Sequence, residues 1–348
     1  MKTTIKALLV ITTFAFFACN KTDNSAGIDS SATDLSAVQL KSASLTVNDV
    51  AVESATGAAN FETDFYAGYE QMLRQLAHVK GKKGNLLMGQ GHFHYVEGQV
   101  PVVSIDTAET GYPITISIDY GTGIKTNHDH VISGLVTIEI NGDKNTDGST
   151  RTITFANCKI DLIGIEGTIT EKFTGDNTSS RKISCLSDVT FTLANGTILD
   201  WVGTNDREWI AGLNTPKERD DDQIQISGRI DVTSTGKDSI TGEPVVNKYS
   251  RVITVPLLRL GDCEHPVSGI VEFNQGVEPI TKIATLDYGD GTCDNLATMT
   301  TADGTIIDIV LHGDGKDKMP KAKTEGHHKG MENAEMHSGG MMQNGKGK

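Results

Sequence analysis

The sequence predicts an all-β fold, an antiparallel sandwich or barrel of about a dozen strands preceded by one amphipathic helix. Two observations predict it. From about residue 84 to 313 apolar residues alternate with polar ones, the period of a strand with one buried face. The joints between these runs carry Asn141-Gly142, Asn195-Gly196 and Asp303-Gly304, pairs suited to tight hairpins.

The strand runs include ITISIDY (114–120), VISGLVTIEI (131–140), RTITF (151–155), IQISGRIDV (224–232), RVITVPLL (251–258) and TIIDIVL (305–311). Gly134, Gly228 and Gly269 interrupt strands and are expected at bulges or close backbone approaches. Three echoes run through the region: VTFTLANGTILDW with ATMTTADGTIIDI, DYGTG with DYGDG, and HVISGLV with HPVSGIV. No single offset relates them, so they read as similar hairpins reused within one architecture.

Ahead of the β region, Phe61, Phe65, Tyr69, Met72, Leu73 and Leu76 recur every three or four residues, which predicts an amphipathic helix over 61–80. Its expected role is to cover a sheet edge or barrel end. Residues 19–60 are rich in Ser, Ala, Thr and Asp without a sustained period and read as a flexible tether. The first eighteen residues hold Lys2, Lys6 and an apolar run ending at Ala18, the order of a signal peptide. That run is too short to span a bilayer, which takes roughly 20 residues. FFAC resembles a lipobox, so Cys19 is the expected lipid attachment point and the cell envelope, at the outer membrane, the expected location. A membrane partner through the lipid follows.

The formal net charge is −14, and removing Lys2 and Lys6 with the signal makes it −14 − 2 = −16. Such a chain is a poor partner for nucleic acid. Four cysteines remain, Cys158, Cys185, Cys263 and Cys293, with three possible connectivities. The sequence-local pairs Cys158–Cys185 and Cys263–Cys293 are favoured because each brackets adjacent strand runs.

TNDREWIAGLNTP, DDQIQISG, ITVPLLRLGDCEHPVSGIVEF and TLDYGDGTCDNLATMT, in this order, resemble a family of uncharacterised exported lipoproteins of the Bacteroidetes. The likeness is specific over 204–311 and weaker over 113–203. It implies export and a β-rich domain, and no known activity.

Candidate chemistry lies in four places. The tail after Asp314 mixes His327, His328 and His337 with Met331, Met336, Met341 and Met342, a ligand set for copper or another soft metal. His92 with His94, and His128 with His130, are pairs two residues apart whose imidazoles would share a strand face. DKNTDG (143–148), and the acids Asp287, Asp290 and Asp294, have the look of calcium loops without the closing bidentate Glu. Trp201, Arg207 and Trp209 gather both tryptophans in one stretch and suggest a sugar or peptide site. Signatures such as GxSxG, HExxH or a P-loop are missing from the sequence. The reading is an envelope-anchored interaction or structural module, catalysis unassigned, with envelope metal handling and glycan binding as alternatives and a protein or glycan as the partner.

Overall fold

The computed structural model describes residues 27–28, 37–68, 84–87, 95, 99–108, 111–126, 130–143, 146–215, 218, 220–237, 241–263, 265–276 and 280–311. The expected signal peptide, Cys19 and the tail lie outside them.

The strands are β1 (Gly27–Ile28), β2 (Gly84–Leu87), β3 (Val102–Thr107), β4 (Ile114–Asp119), β5 (Ile124–Lys125), β6 (Val131–Ile140), β7 (Thr150–Ile160) and β8 (Ile163–Gly175). They continue as β9 (Arg181–Thr192), β10 (Ile198–Ala211), β11 (Gln223–Lys237), β12 (Pro244–Leu260), β13 (Ser268–Gln275), β14 (Thr281–Asp290), β15 (Leu296–Thr301) and β16 (Ile306–Val310). All belong to one antiparallel sheet ordered β1-β16-β15-β14-β13-β12-β11-β10-β9-β8-β7-β6-β4-β3-β2, with β5 paired to β6 beside that path. The fold is therefore all-β and antiparallel, as the alternation predicts. It is a single open sheet, neither a two-sheet sandwich nor a closed barrel.

The helix α1 (Ala37–Gly68) explains how one sheet builds a core. It touches β7 on one side and β1, β14 and β15 on the other. β7 and β15 are eight places apart in the strand order, about 38 Å if the sheet were flat, while a helix is only about 10 Å across. The sheet must curl around the helix.

This corrects the predicted helix at 61–80 and the tether at 19–60. The helix starts at Ala37 and ends at Gly68; residues 69–80 are outside the described part of the chain. No residue from Leu45 to Ala67 is exposed. A helix enclosed on every side has no solvent face, so an amphipathic stripe does not mark it. Its Ser, Thr, Val and Gly57 are poor helix formers, and the surrounding sheet supplies the stability.

Enclosure also explains why the helix is polar in places. Asp49 is fully buried and accepts from Arg251 Nε of β12 at 2.8 Å. Glu53 accepts from Arg251 Nη2 and from the Tyr288 hydroxyl. Near its other end Glu62 accepts from Tyr95 and Tyr120 at 2.7 and 2.8 Å, and Asp64 from Arg151 of β7 at 2.6 Å.

The sequence echoes turn out to be matched pieces of structure. Asp119 of DYGTG sits opposite Leu135 and Asp287 of DYGDG opposite Ile270. In both cases the partner is the residue after the Ser-Gly pair. Register shifts fall at Gly134, Gly228 and Gly269. A Cβ on Gly134 (φ +88) would stand 2.1 Å from the Asn157 carbonyl oxygen, so only glycine fits there. The β9–β10 and β15–β16 turns also match: Gly196 donates to Leu193 O at 2.9 Å and Gly304 to Thr301 O at 2.9 Å.

One of the two expected bridges is present, Cys263–Cys293. Cys158 and Cys185 are free thiols, which corrects that pairing. They lie on β7 and β9, with β8 between, where Cys158 faces Ile165 and Cys185 pairs with Glu171. Two strand spacings, about 9.6 Å, already exceed the roughly 7 Å limit for bridging.

Candidate functional site

Strand alternation decides which side chains enter the space inside the curl. On β10, Leu199 and Trp201 are buried, so the same phase carries Arg207 and Trp209 inward and leaves Glu208 exposed. The REW motif thus splits, with its first and third residues on one face. Arg151 of β7 stands directly opposite Glu171 of β8 and donates to it through Nε at 2.6 Å. Arg207 binds the other oxygen of the same carboxylate, so Glu171 is clasped by two guanidinium groups. Desolvation opposes charge on Arg151, but Glu171 and Asp64 more than offset it and hold the guanidinium above its usual range. Arg207 shows the same balance, with Glu171 the main opposing influence.

Above this buried cluster lies a pocket of about 370 Å³ at the C-terminal end of α1, lined by Asp64, Arg151, Glu171, Arg207, Trp209 and Arg259 among others. Trp209 faces Ile224 of β11, and Ile224 faces Arg259 of β12. The Arg181 guanidinium carbon sits 3.9 Å from the Trp209 ring centroid. The indole Nε1 donates to Asp222 Oδ2 at 3.3 Å. Arg181 therefore lies against the ring, while Arg259 stands two strands from Trp209 with Ile224 between. Among the described residues, Arg151, Arg181, Arg207 and Arg259 line the pocket.

Trp201 is not part of this site, which corrects the grouping of both tryptophans. It is 5% exposed and packs edge-on against Phe191, ring centroids 5.5 Å apart. Eight residues of extended strand, about 27 Å, separate it from Trp209.

Among the described residues no group of three or more His, Cys, Asp or Glu is placed to hold a metal ion. His130 pairs through Nδ1 with Asp161 at 2.8 Å. His92, His94, His128 and the tail residues His327, His328, Met331, Met336, His337, Met341 and Met342 lie outside the described part. Acids of these turns accept from backbone N–H groups. Asp147 accepts from Gly175 N, Asp287 from Gly289 N, Asp290 from Thr292 N and Asp294 from Leu296 N.

Sequence reasoning missed Asp64, Arg151, Glu171, Arg181, Asp222 and Arg259. One signal was present for two of them: Arg151 and Glu171 fall in the inward phase of Ile153 and Phe155, and of Ile169 and Phe173. A charge in a buried phase asks for a partner. Matching against family models, curated proteins and solved structures finds no similar protein.

Proposed function

We propose that this chain is a lipid-anchored envelope protein and a non-catalytic binding module whose ligand site is the pocket at the end of α1. The observation that carries the reading is Trp209, with Arg181 against its ring, in one pocket with the ionic cluster of Arg151, Glu171 and Arg207. The pocket's volume falls within the roughly 300–1,000 Å³ of small-molecule sites. Aromatic and guanidinium groups are the residues that most often anchor ligands. A binding role fits better than catalysis because Glu171 is held by Arg151 and Arg207 and Asp222 by the indole. Neither carboxylate is then poised to move a proton.

The anchor is supported by the FFAC sequence at Cys19. Cys19→Ser should release the protein from the membrane pellet; mature protein still pelleting would refute the lipid tether. For the pocket, a thermal-shift screen of saccharides and small acids should yield hits that Trp209→Ala removes. Hits unchanged in that variant would place the site elsewhere.

A second reading, soft-metal handling, is favoured by the His/Met mixture at 327–342. Its test is Cu(I) titration of the full chain and of a form ending at Asp314. Binding confined to the full chain supports it, and equal binding by both refutes the tail as the site.

A further inference from the structure

The lipid on Cys19 fixes more than attachment, because the chain enters the folded sheet only a few residues later. We propose that the outer face of β15 and β16 beside β1 lies against a phospholipid bilayer, with Leu296 and Val310 seated at the boundary of headgroups and acyl chains. This rests on the anchor reading above and goes beyond it by assigning the surface that meets the membrane.

The first observation is a length. Gly27 of β1 follows Cys19 by eight residues (27 − 19), a reach of about 29 Å at the fully extended limit of about 3.6 Å per residue. Strand β12, at seventeen residues, is about 56 Å long. The link is shorter than that strand, so the domain cannot hold β1 on the side away from a bilayer that carries the lipid.

The second is register. Gly27 stands opposite Val310 and Ile28 opposite Ile309, in antiparallel pairing. The N-terminal side of β1 therefore coincides with the C-terminal end of β16. Val310 stands in turn opposite Leu296 of β15. The strand that follows the anchor thus joins the sheet on the row that holds these two side chains.

The third is what that row exposes. Alternation in β16 buries Ile307 and Ile309 and turns Ile306, Asp308 and Val310 outward, while β15 turns Leu296 outward. Leu296 is 52% exposed and Val310 38%, and residues directly opposite on one face lie side by side. Ile306, also exposed, is on the same face. Leu186 and Val202, comparably exposed elsewhere, have polar neighbours instead: Leu186 stands between Thr170 and Thr204, and Val202 between Asp188 and Asp231.

Charge does not draw this face to lipid. Asp287 and Asp308 both stand opposite Thr298, so an anionic bilayer would oppose the contact. Proximity drives it. Two or three apolar side chains are too few to recruit a protein from solution, but a short link holds them beside the bilayer at high effective concentration. Burying them at the interface then removes apolar surface from water.

The test is hydroxyl-radical footprinting of the mature lipoprotein in phosphatidylcholine vesicles, compared with the mature chain bearing Cys19→Ser, and so no lipid, beside the same vesicles. Oxidation of Leu296 and Val310 should fall about threefold or more in the anchored protein, since lipid takes their surface out of water. Val202 and Leu186, six and seven places from β16 in the strand order, should react equally in both. Leu296→Asp should restore the oxidation of Val310 on vesicles while the unfolding midpoint stays near wild type. Adding phosphatidylglycerol at low salt should weaken the protection. Anchored protein whose Leu296 and Val310 react as they do in solution would overturn the docking face and leave the anchor intact. Equal protection in the Cys19→Ser chain would mean that a second copy or the chain itself covers the face, and would overturn the bilayer as its occupant. Protection of Leu186 and Val202 in place of Leu296 and Val310 would put the membrane against another face. A mature chain that carries no lipid and does not float with the vesicles would overturn the anchor reading, and this surface with it.

Discussion

Tyr120 donates its hydroxyl to Glu62 at 2.8 Å from the DYGTG turn, and Tyr288 repeats the gesture toward Glu53 from the DYGDG turn. The repeated tripeptide is therefore a device for docking the helix. Asp119 and Asp287 each accept from the glycine two residues on, at 2.8 and 2.9 Å, which shapes the turn. The tyrosine between is buried against α1. Burial pushes both phenols well above their ordinary range, and the neighbouring glutamates add to it.

Removing these hydroxyls should destabilise the two ends of α1 unequally. Tyr120→Phe takes one of two phenol donors from Glu62 Oε2 and leaves Tyr95, a neutral group, on it, at a cost of about 1–3 kcal/mol. Tyr288→Phe leaves Glu53 with Arg251 at 3.0 Å and should cost less. Denaturant unfolding of the two variants checks the order, and a larger loss for Tyr288→Phe would contradict it.

The free cysteines give a direct chemical check on strand order. A chain beginning after residue 26 should show two reactive thiols when unfolded without reductant, Cys158 and Cys185, and four after reduction. In the native state both should react slowly, because burial pushes Cys158 up to about 12 and Cys185 up to about 11. Counting with a thiol reagent decides it. Zero thiols before reduction would require Cys158 and Cys185 to meet, which β8 forbids.

What was legible follows from which interactions are local. Strands announce themselves by alternation within a few residues, and Gly134, Gly228 and Gly269 announced bulges because a missing side chain is visible in one letter. The echoes were legible as hairpins, though the purpose of DYG was not, since Glu53 and Glu62 belong to a different element. The helix was obscured by its own enclosure: Leu45 to Ala67 has no exposed face to set against a buried one. The pocket was half legible. Arg207 and Trp209 stood out as a motif, but Glu171 meets Arg207 across 36 residues and Asp64 meets Arg151 across 87, through pairings that no local pattern encodes.

The two tryptophans should separate stability from binding. Trp201→Ala empties a core position against Phe191 and should cost about 3–5 kcal/mol. Trp209→Ala loses its cation–π contact with Arg181 and the Asp222 hydrogen bond, a smaller cost of about 1–2 kcal/mol, and should abolish ligand binding. Unfolding midpoints and the saccharide screen read the two effects independently. A Trp209→Ala chain as unstable as Trp201→Ala would make Trp209 a core residue and weaken its assignment to the pocket.

The Asp49–Arg251 pair predicts how stability depends on pH. Asp49 is wholly enclosed, and burial raises its carboxyl from 3.8 to about 6; Arg251 lowers it in part and Glu53 raises it further. The folded state then holds a proton that the unfolded chain has released between those two values. Stability changes with pH in proportion to protons bound unfolded minus protons bound folded, a negative number here. The contribution of Asp49 is thus fully present below about 3.8 and is lost as pH rises through about 6. The loss has an upper bound of about 3 kcal/mol, at 1.36 kcal/mol per unit of displacement. Asp49→Asn cannot titrate, so the wild-type stability minus that of the variant should fall between pH 4 and 6.5 and be flat on either side. Unfolding in denaturant at half-unit steps from pH 3.5 to 7.5 measures it. A difference that rises with pH would mean that Arg251 outweighs burial and keeps Asp49 ionised inside the curled sheet.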